Sequence, residues 1–145
     1  MIRKLSIALV VMTALVITVG STLAANAHFI GTPQLTQTSS SIDISASVAG
    51  LGNAAGATFN LSGTVNVSSR CYTRKGNTPQ AANKQENIAV NDTDTFPVRN
   101  GRTDISFSIS PLSTLTCPGG QHVVIESVTY NLTLSGEGVS YNFSS

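Results

Sequence analysis

Charged side chains are scarce in this sequence, and neither sign dominates. Only 10% of its 145 residues are charged, with 8 Lys and Arg against 7 Asp and Glu. Proteins that bind nucleic acid or anionic membranes by electrostatics carry a marked excess of positive charge. The balance found here predicts neither partner, and it leaves Ser, Thr, Asn and Gln to form most of the surface.

Residues that carry catalysis are also few. The sequence has no Trp, two Cys and two His, and it lacks the G-x-S-x-G motif that presents a nucleophilic serine. Most acidic residues fall in predicted turns or on predicted solvated strand faces, where they are ordinary surface charges. We therefore expect that the protein is not an enzyme.

Long apolar runs are absent apart from one near the amino terminus. Two basic residues precede the run Ile7–Val19, and small alanines follow it, which is the order typical of a secretory signal peptide. We expect a signal-peptide helix within residues 1–27 and cleavage before His28, with cleavage after Ala24 as the alternative. Because the run is short for a membrane span, the sequence predicts a secreted, extracellular protein with no stable span after cleavage; the alternative is a form retained in the membrane by an uncleaved anchor.

The stretch from Ala57 to Cys71 carries the clearest structural pattern. Apolar residues and one glycine occupy the odd positions from Phe59 to Val67, while Thr, Asn and Ser occupy the even positions. An apolar period of two predicts a β-strand with one buried and one solvated face. The same alternation places Cys71 on the buried side.

Other segments repeat this pattern over shorter lengths. Alternation predicts strands from Ile42 to Val48, from Ile105 to Ile109 and from Val139 to Phe143. Two short strands are predicted at Glu86–Val90 and Thr95–Val98. The β-rich run that begins at His122 is the longest.

Turn residues separate these strands. The glycines from Gly50 to Gly56 predict a hairpin that joins the first alternating strand to the central one. The pair Asn100-Gly101 predicts a second hairpin. In the run from His122 to Leu134 the apolar residues change parity near Glu126, which predicts either a β-bulge there or a strand buried on both sides.

The number and spacing of these segments define the expected fold. About seven or eight short strands, with no helix after the signal peptide, predict an antiparallel immunoglobulin-like β-sandwich in a single domain of residues 28–145. The core Trp of true immunoglobulin domains is missing. Because the chain is expected to be exported, Cys71 and Cys117 are expected to form one disulfide.

The segment from Cys71 to Gln85 is polar and shows no alternation. It predicts the longest loop of the domain, pinned at one end by the disulfide, and long loops often carry function. Its candidate recognition residues are Arg74, Lys75, Gln80, Asn83 and Lys84. The alternative is a solvated connection without a binding role.

Four short motifs carry a family resemblance: AHF at 27–29, GLGN at 50–53, PQAANKQ at 79–85 and CPGGQ at 117–121. With these motifs the chain resembles a family of small exported β-rich proteins of unknown function from filamentous soil bacteria. The resemblance implies a small exported β domain. It implies no catalytic residue.

The two histidines allow a copper site as an alternative function. Cleavage before His28 would give this residue a free α-amine beside its imidazole, and His122 could add a third nitrogen. Three nitrogens in a plane suit Cu(II) and resemble the histidine brace of small copper-binding sandwiches and of lytic polysaccharide monooxygenases. The simpler interpretation is two histidines at strand ends.

Two minor motifs have ordinary explanations. The run Asn91–Thr95 offers two carboxylates to Ca²⁺, although Asp and Asn turns explain the same residues. Five N-x-[ST] sequons occur, at Asn60, Asn66, Asn91, Asn131 and Asn142, and chance accounts for most of them in a chain so rich in Ser, Thr and Asn.

The sequence thus predicts a secreted, non-enzymatic binding or surface-associated structural module. Its ligand would be an unidentified extracellular molecule or cell-surface component, and no resident cofactor is expected apart from the alternative copper at His28 and His122. A third hypothesis is self-association, because a sandwich leaves unpaired backbone groups on its edge strands.

Overall fold

The computed structural model describes residues 26–145, so all but the last two residues of the expected signal peptide lie outside it. No helix in this range is long and apolar enough to cross a membrane. The described chain is all-β, as predicted, with eight strands. The strands are β1 (His28–Phe29), β2 (Gln34–Gln37), β3 (Ile42–Ala49), β4 (Gly56–Thr73), β5 (Pro79–Pro97), β6 (Thr103–Ile109), β7 (Gln121–Gly136) and β8 (Val139–Ser144).

The strands form two antiparallel sheets that pack as a β-sandwich. In sheet I, β3 pairs with β6 on one side and with β1 and β2 on the other. Sheet II has the order β5-β4-β7-β8. The two edge strands of sheet II are therefore β5 and β8.

The core lies between the sheets and follows the predicted alternation. Phe59, Leu61, Val65 and Val67 of β4 are buried, and Cys71 continues on the same side. Each such aliphatic or aromatic side chain stabilises the fold by about 1.5–3 kcal/mol on burial. The other strands contribute Ile42, Ile44, Val48, Phe96, Ile105, Phe107, Leu132, Leu134 and Phe143 to the same cluster.

Two hairpin predictions were wrong, although the turns themselves are present. Strands β3 and β4 lie in different sheets, so the glycine-rich segment from Gly50 to Gly56 carries the chain across the sandwich. Asn100 and Gly101 have φ values of 52° and 72°, as in a tight two-residue turn, but β5 and β6 also belong to different sheets. Turn chemistry is local, and it does not determine whether the flanking strands stay paired.

The predicted long loop and two short strands are instead one long strand. Strand β5 begins at Pro79 and pairs with β4 from Gly56↔Pro97 to Tyr72↔Pro79, so only a tight turn at residues 74–78 separates β4 from β5. Because β5 is an edge strand, most of its side chains are exposed on both faces. A strand of this kind has no apolar period that the sequence could reveal.

The predicted bulge at Glu126 is confirmed. Ser68 pairs with Ser127 and Ser69 with Ile125, so Glu126 is the extra residue on β7. One inserted residue moves all later side chains to the opposite face. This shift explains the change of apolar parity along β7.

The segment 110–120, between β6 and β7, covers the inner face of sheet II where sheet I ends. Leu112 is fully buried, and the hydroxyl oxygens of Ser113 and Ser69 lie 2.7 Å apart. Cys117 forms the predicted disulfide with Cys71, with a Cα–Cα distance of 5.6 Å. The disulfide therefore ties β4 to this segment, and the segment takes the place of a strand in the second layer.

Candidate functional site

The outer face of sheet II carries a regular array of uncharged polar side chains. We call it the polar face. It consists of the alternate residues of four strands that point away from the core. Its members are Gln85, Asn87, Ala89, Asn91, Thr93 and Thr95 of β5; Thr58, Asn60, Ser62, Thr64, Asn66 and Ser68 of β4; Ser127, Thr129, Asn131, Thr133 and Ser135 of β7; and Ser140, Asn142 and Ser144 of β8.

The strand register aligns these side chains in rows across the sheet. One complete row, at the level of Ser62, joins Asn91, Thr133 and Asn142 across all four strands. The rows on either side of it, at the levels of Asn60 and Thr64, also cross all four strands. Neighbouring strands lie about 4.8 Å apart, and alternate residues along a strand about 6.7 Å apart. The polar face is thus a two-dimensional lattice of hydrogen-bonding groups.

Side-chain hydrogen bonds fix much of this lattice in place. The Asn60 amide nitrogen donates to Asn91 Oδ1 at 3.0 Å and to Thr93 Oγ1 at 2.8 Å. The Asn87 amide donates to Asn66 Oδ1 at 2.6 Å. Side chains already held in one rotamer lose less conformational entropy when a ligand binds.

The same pattern continues on both sides of β4. The Gln85 amide donates to Ser68 Oγ at 2.7 Å, and on the other side of the sheet the Asn142 amide donates to Asn131 Oδ1 at 2.9 Å. The bonded amides and hydroxyls still have further donor or acceptor capacity. The face can therefore offer hydrogen bonds to a ligand without breaking its own.

A charged and aromatic patch ends the polar face at the turn between β4 and β5. Arg70 Nε lies 3.0 Å from Glu126 Oε1, and the Tyr72 hydroxyl donates to the same oxygen at 2.8 Å. The hydrogen bond to Glu126 raises the pKa of Tyr72 above its usual range. Glu126 is thus a partly exposed bulge residue in an ion pair, which agrees with the bulge interpretation.

The structure does not bring the two histidines together. His28 pairs with Ala49, just before the chain crosses to the start of β4, whereas His122 pairs with Tyr72 near the end of β4. Strand β4 rises about 3.3 Å per residue, which is about 50 Å between those two points. Within residues 26–145 no three His, Cys, Asp or Glu side chains cluster as metal ligands. This geometry gives no support to the copper alternative.

The five predicted recognition residues do not share a loop. Arg74 and Lys75 lie on the tight turn, while Gln80, Asn83 and Lys84 lie on β5. Asn83 pairs with Arg70 on the outer side, and Lys84 pairs with Ser69 on the core side. The loop prediction was wrong because the segment is a strand.

The two carboxylates considered for calcium also lie on β5. Asp92 pairs with Leu61 and Asp94 with Phe59, so both lie on the core side of the edge strand, where they remain exposed at its rim. Asp94 Oδ1 accepts a hydrogen bond from the Thr95 backbone nitrogen at 2.8 Å. They are therefore strand residues rather than a calcium-binding loop.

Sequence reasoning missed the polar face, although the signal was present. The alternating Thr, Asn and Ser of β4 indicate by themselves only one solvated strand face. The pairing of β4 with both β5 and β7 makes that face part of a four-stranded lattice. A repeated x-[STN]-x-[STN] pattern in several strands was the feature that could have indicated it.

Comparison with known proteins shows a distant structural likeness. No protein-family model matches the chain, and no curated protein matches it. The crystal structure of Spo0M, a sporulation control protein from Bacillus subtilis, is similar with a TM-score of 0.32 and 16% sequence identity. The match covers 82% of this chain but 47% of that one, so this chain spans about half of its length. A likeness of this degree says nothing about function.

Proposed function

We propose that the protein is a secreted, non-enzymatic binding module that holds a neutral, hydroxyl-rich polymer, such as an uncharged polysaccharide, against its polar face. The observation that carries the proposal is the set of complete polar rows across all four strands of sheet II. Every position in the three central rows is Ser, Thr, Asn or Ala.

The chemistry of the face favours a neutral ligand. Amides and hydroxyls donate and accept in similar numbers, as do the hydroxyls of a sugar polymer. A charged ligand would lose hydration on such a surface without gaining an opposite charge. The three central rows contain no titratable side chain, which supports binding rather than acid–base chemistry.

The form of the face favours an extended ligand. A single protein hydrogen bond contributes only about 0.5–1.5 kcal/mol net, so one sugar unit would bind weakly. A polymer that spans several rows would add such contacts, because each further contact forms at high effective concentration. Affinity is therefore expected to rise with chain length.

Two features support an extracellular location. The Cys71–Cys117 disulfide requires an oxidising compartment to form and persist in most organisms. The largely uncharged polar surface is also typical of exported β proteins. Both fit the expected signal peptide within residues 1–27.

The test is retention of the secreted protein on insoluble cellulose, chitin and β-1,3-glucan. The variant is Ser62→Lys with Thr133→Glu, which replaces one directly paired couple in the central row by opposite charges. Opposite charges at directly paired positions do not destabilise a sheet. The net charge is unchanged, and we expect at least about a tenfold loss of retention, equivalent to about 1.4 kcal/mol.

The matched control introduces the same pair of side chains, one Lys and one Glu, into sheet I. Ser45→Lys with Ser106→Glu also changes a directly paired, exposed couple of serines. This control should bind like the unmodified protein. Equal loss in both variants, or no retention of the unmodified protein on any of the three polymers, would contradict the proposal.

A further inference from the structure

The turn between β5 and β6 holds two arginines side by side. The Arg99 backbone nitrogen donates to Arg102 O at 2.8 Å, and the Arg102 nitrogen donates to Arg99 O at 3.0 Å. Residues that exchange both hydrogen bonds are directly opposite, and their side chains leave the same face about 5 Å apart at Cβ. The left-handed residues Asn100 and Gly101 hold this turn closed.

This arrangement leaves positive charge uncompensated. Like charges at directly opposite positions destabilise a sheet pair. The two ion pairs found in residues 26–145 are Arg70–Glu126 and Lys84–Glu86, so neither Arg99 nor Arg102 forms an ion pair with a carboxylate of this range. Both arginines are exposed.

The two arginines line an open groove of about 460 Å³ at the sheet I side of this turn. Ile30, which is 41% exposed, and Pro97 give it an apolar wall. Asp104 also lines the groove, and its carboxylate accepts a hydrogen bond from Ser47 Oγ at 2.6 Å. The charged residues of the groove therefore sum to one positive charge.

We propose that this groove is a binding site for an oxyanion, a phosphate or carboxylate group on a small organic molecule or glycan, held between Arg99 and Arg102. The guanidinium group offers planar, forked N–H donors that match phosphate and carboxylate oxygens. A bound anion relieves the repulsion between the two side chains, and the wall of Ile30 and Pro97 receives the carbon skeleton. The site lies apart from the polar face and does not depend on the neutral-polymer function.

The first measurement is calorimetric titration of the secreted protein with pyrophosphate and, separately, with glucuronate. Ionic strength is held constant, and chloride serves as the reference anion. Saturable binding of either anion is expected, and the tighter one identifies the oxyanion class. Arg99→Gln and Arg102→Gln should each weaken binding about tenfold, which is the loss of one charge-assisted hydrogen-bonded partner. Asp104→Asn, which removes the opposing charge, should strengthen it severalfold.

The matched control is Arg74→Gln with Lys75→Gln, which removes two exposed cations from the turn between β4 and β5. This control should bind the anion unchanged. A second readout is thermal unfolding at low ionic strength without the anion, where Arg102→Gln should not lower Tm because it removes a repulsion. Failure of both anions to bind, or an equal loss of affinity in the control, would overturn the proposal.

Discussion

At the scale of single residues, Glu86 shows how the two layers are joined beyond the end of sheet I. Its carboxylate accepts hydrogen bonds from Thr114 Oγ1 at 2.6 Å and from the Thr114 backbone nitrogen at 2.9 Å. Lys84 Nζ lies 3.6 Å from the same group. The hydroxyl of Thr114, above all, lowers the pKa of Glu86 to about 2 against the opposing effect of burial, and the Thr114 backbone N–H, Ser113 and Lys84 lower it further by smaller amounts.

This lowered pKa predicts an acid-dependent loss of stability. The folded state binds the proton of Glu86 less readily than the unfolded state, whose pKa is near 4.5. The contribution of Glu86 is therefore complete above pH 4.5, is lost as the pH falls towards 2, and is about 1–2 kcal/mol after allowance for solvent screening.

Glu86→Gln should remove that part of the pH dependence, as measured by urea unfolding at a series of pH values from 2 to 7. Asp43 is the matched control, because hydrogen bonds from Ser108 and Ser41 also lower the pKa of its carboxyl group. The change Asp43→Asn should leave the contribution of Glu86 intact. A Glu86→Gln profile parallel to that of the unmodified protein would contradict this account.

The N-x-[ST] sequons of the chain are a consequence of the polar face. All five sequon asparagines, Asn60, Asn66, Asn91, Asn131 and Asn142, lie on the polar face. An N-x-[ST] motif places its two polar residues at positions i and i+2, which is the spacing of one strand face. The motif therefore arises from the polar lattice itself, and glycosylation need not be invoked to explain it.

At the scale of elements, β5 differs most from expectation. Its pairing with β4 depends on the register of distant residues, and its exposed sequence gives no apolar period. By contrast, β4, β3 and β6 were predictable because each places alternate side chains in the core. An edge strand that is exposed on both faces, as β5 is, is thus poorly indicated by a single sequence.

The β5 edge also bears on self-association. Lys84, Glu86, Asp92 and Asp94 lie on the core side of this strand, and such inward-pointing charges oppose edge-to-edge pairing. We expect the unmodified protein to remain monomeric in size-exclusion chromatography as its concentration rises. Asp92→Thr with Asp94→Thr should increase association.

The control for this prediction keeps the charge but reverses its sign. Asp92→Lys with Asp94→Lys should remain monomeric, because lysine also protects edge strands from pairing. Concentration-dependent oligomers of the unmodified protein would show that the inward charges do not block the edge.

The disulfide fixes the segment that replaces a strand in the second layer. Cys71 and Cys117 are 46 residues apart in sequence, and closing a loop of this length stabilises a protein by about 4 kcal/mol in the chain-entropy description. The double change Cys71→Ser with Cys117→Ser should therefore lower the free energy of unfolding by about 2–4 kcal/mol.

Urea unfolding gives the global effect of this change, and limited proteolysis gives the local one. New cleavage is expected first within residues 110–120, because without the disulfide only noncovalent contacts hold this segment. They include the burial of Leu112 and the hydrogen bonds of Ser113 and Thr114. Unchanged stability together with unchanged cleavage would contradict this role.

At the scale of the whole molecule, the sandwich fold follows from the alternation of apolar and polar residues along each strand, whereas the polar face follows from the pairing of four strands in sheet II. Burial of alternate residues requires two layers, so the apolar alternation of several short segments, clearest at Phe59, Leu61, Val65 and Val67, predicted the fold class. The polar face was not predicted because Ser, Thr and Asn are ordinary solvated residues on any one strand. They become a candidate surface only when four strands align them in rows.

The most direct test of the account is an amide-resolved NMR titration of the protein with soluble oligosaccharides of cellulose and chitin. We expect chemical-shift changes that grow with oligosaccharide length and centre on Ser62, Thr64, Asn131 and Thr133. The exposed residues of sheet I should remain unchanged. Changes centred on sheet I, or none with the longest oligosaccharide, would contradict the assignment of the polar face as the binding surface.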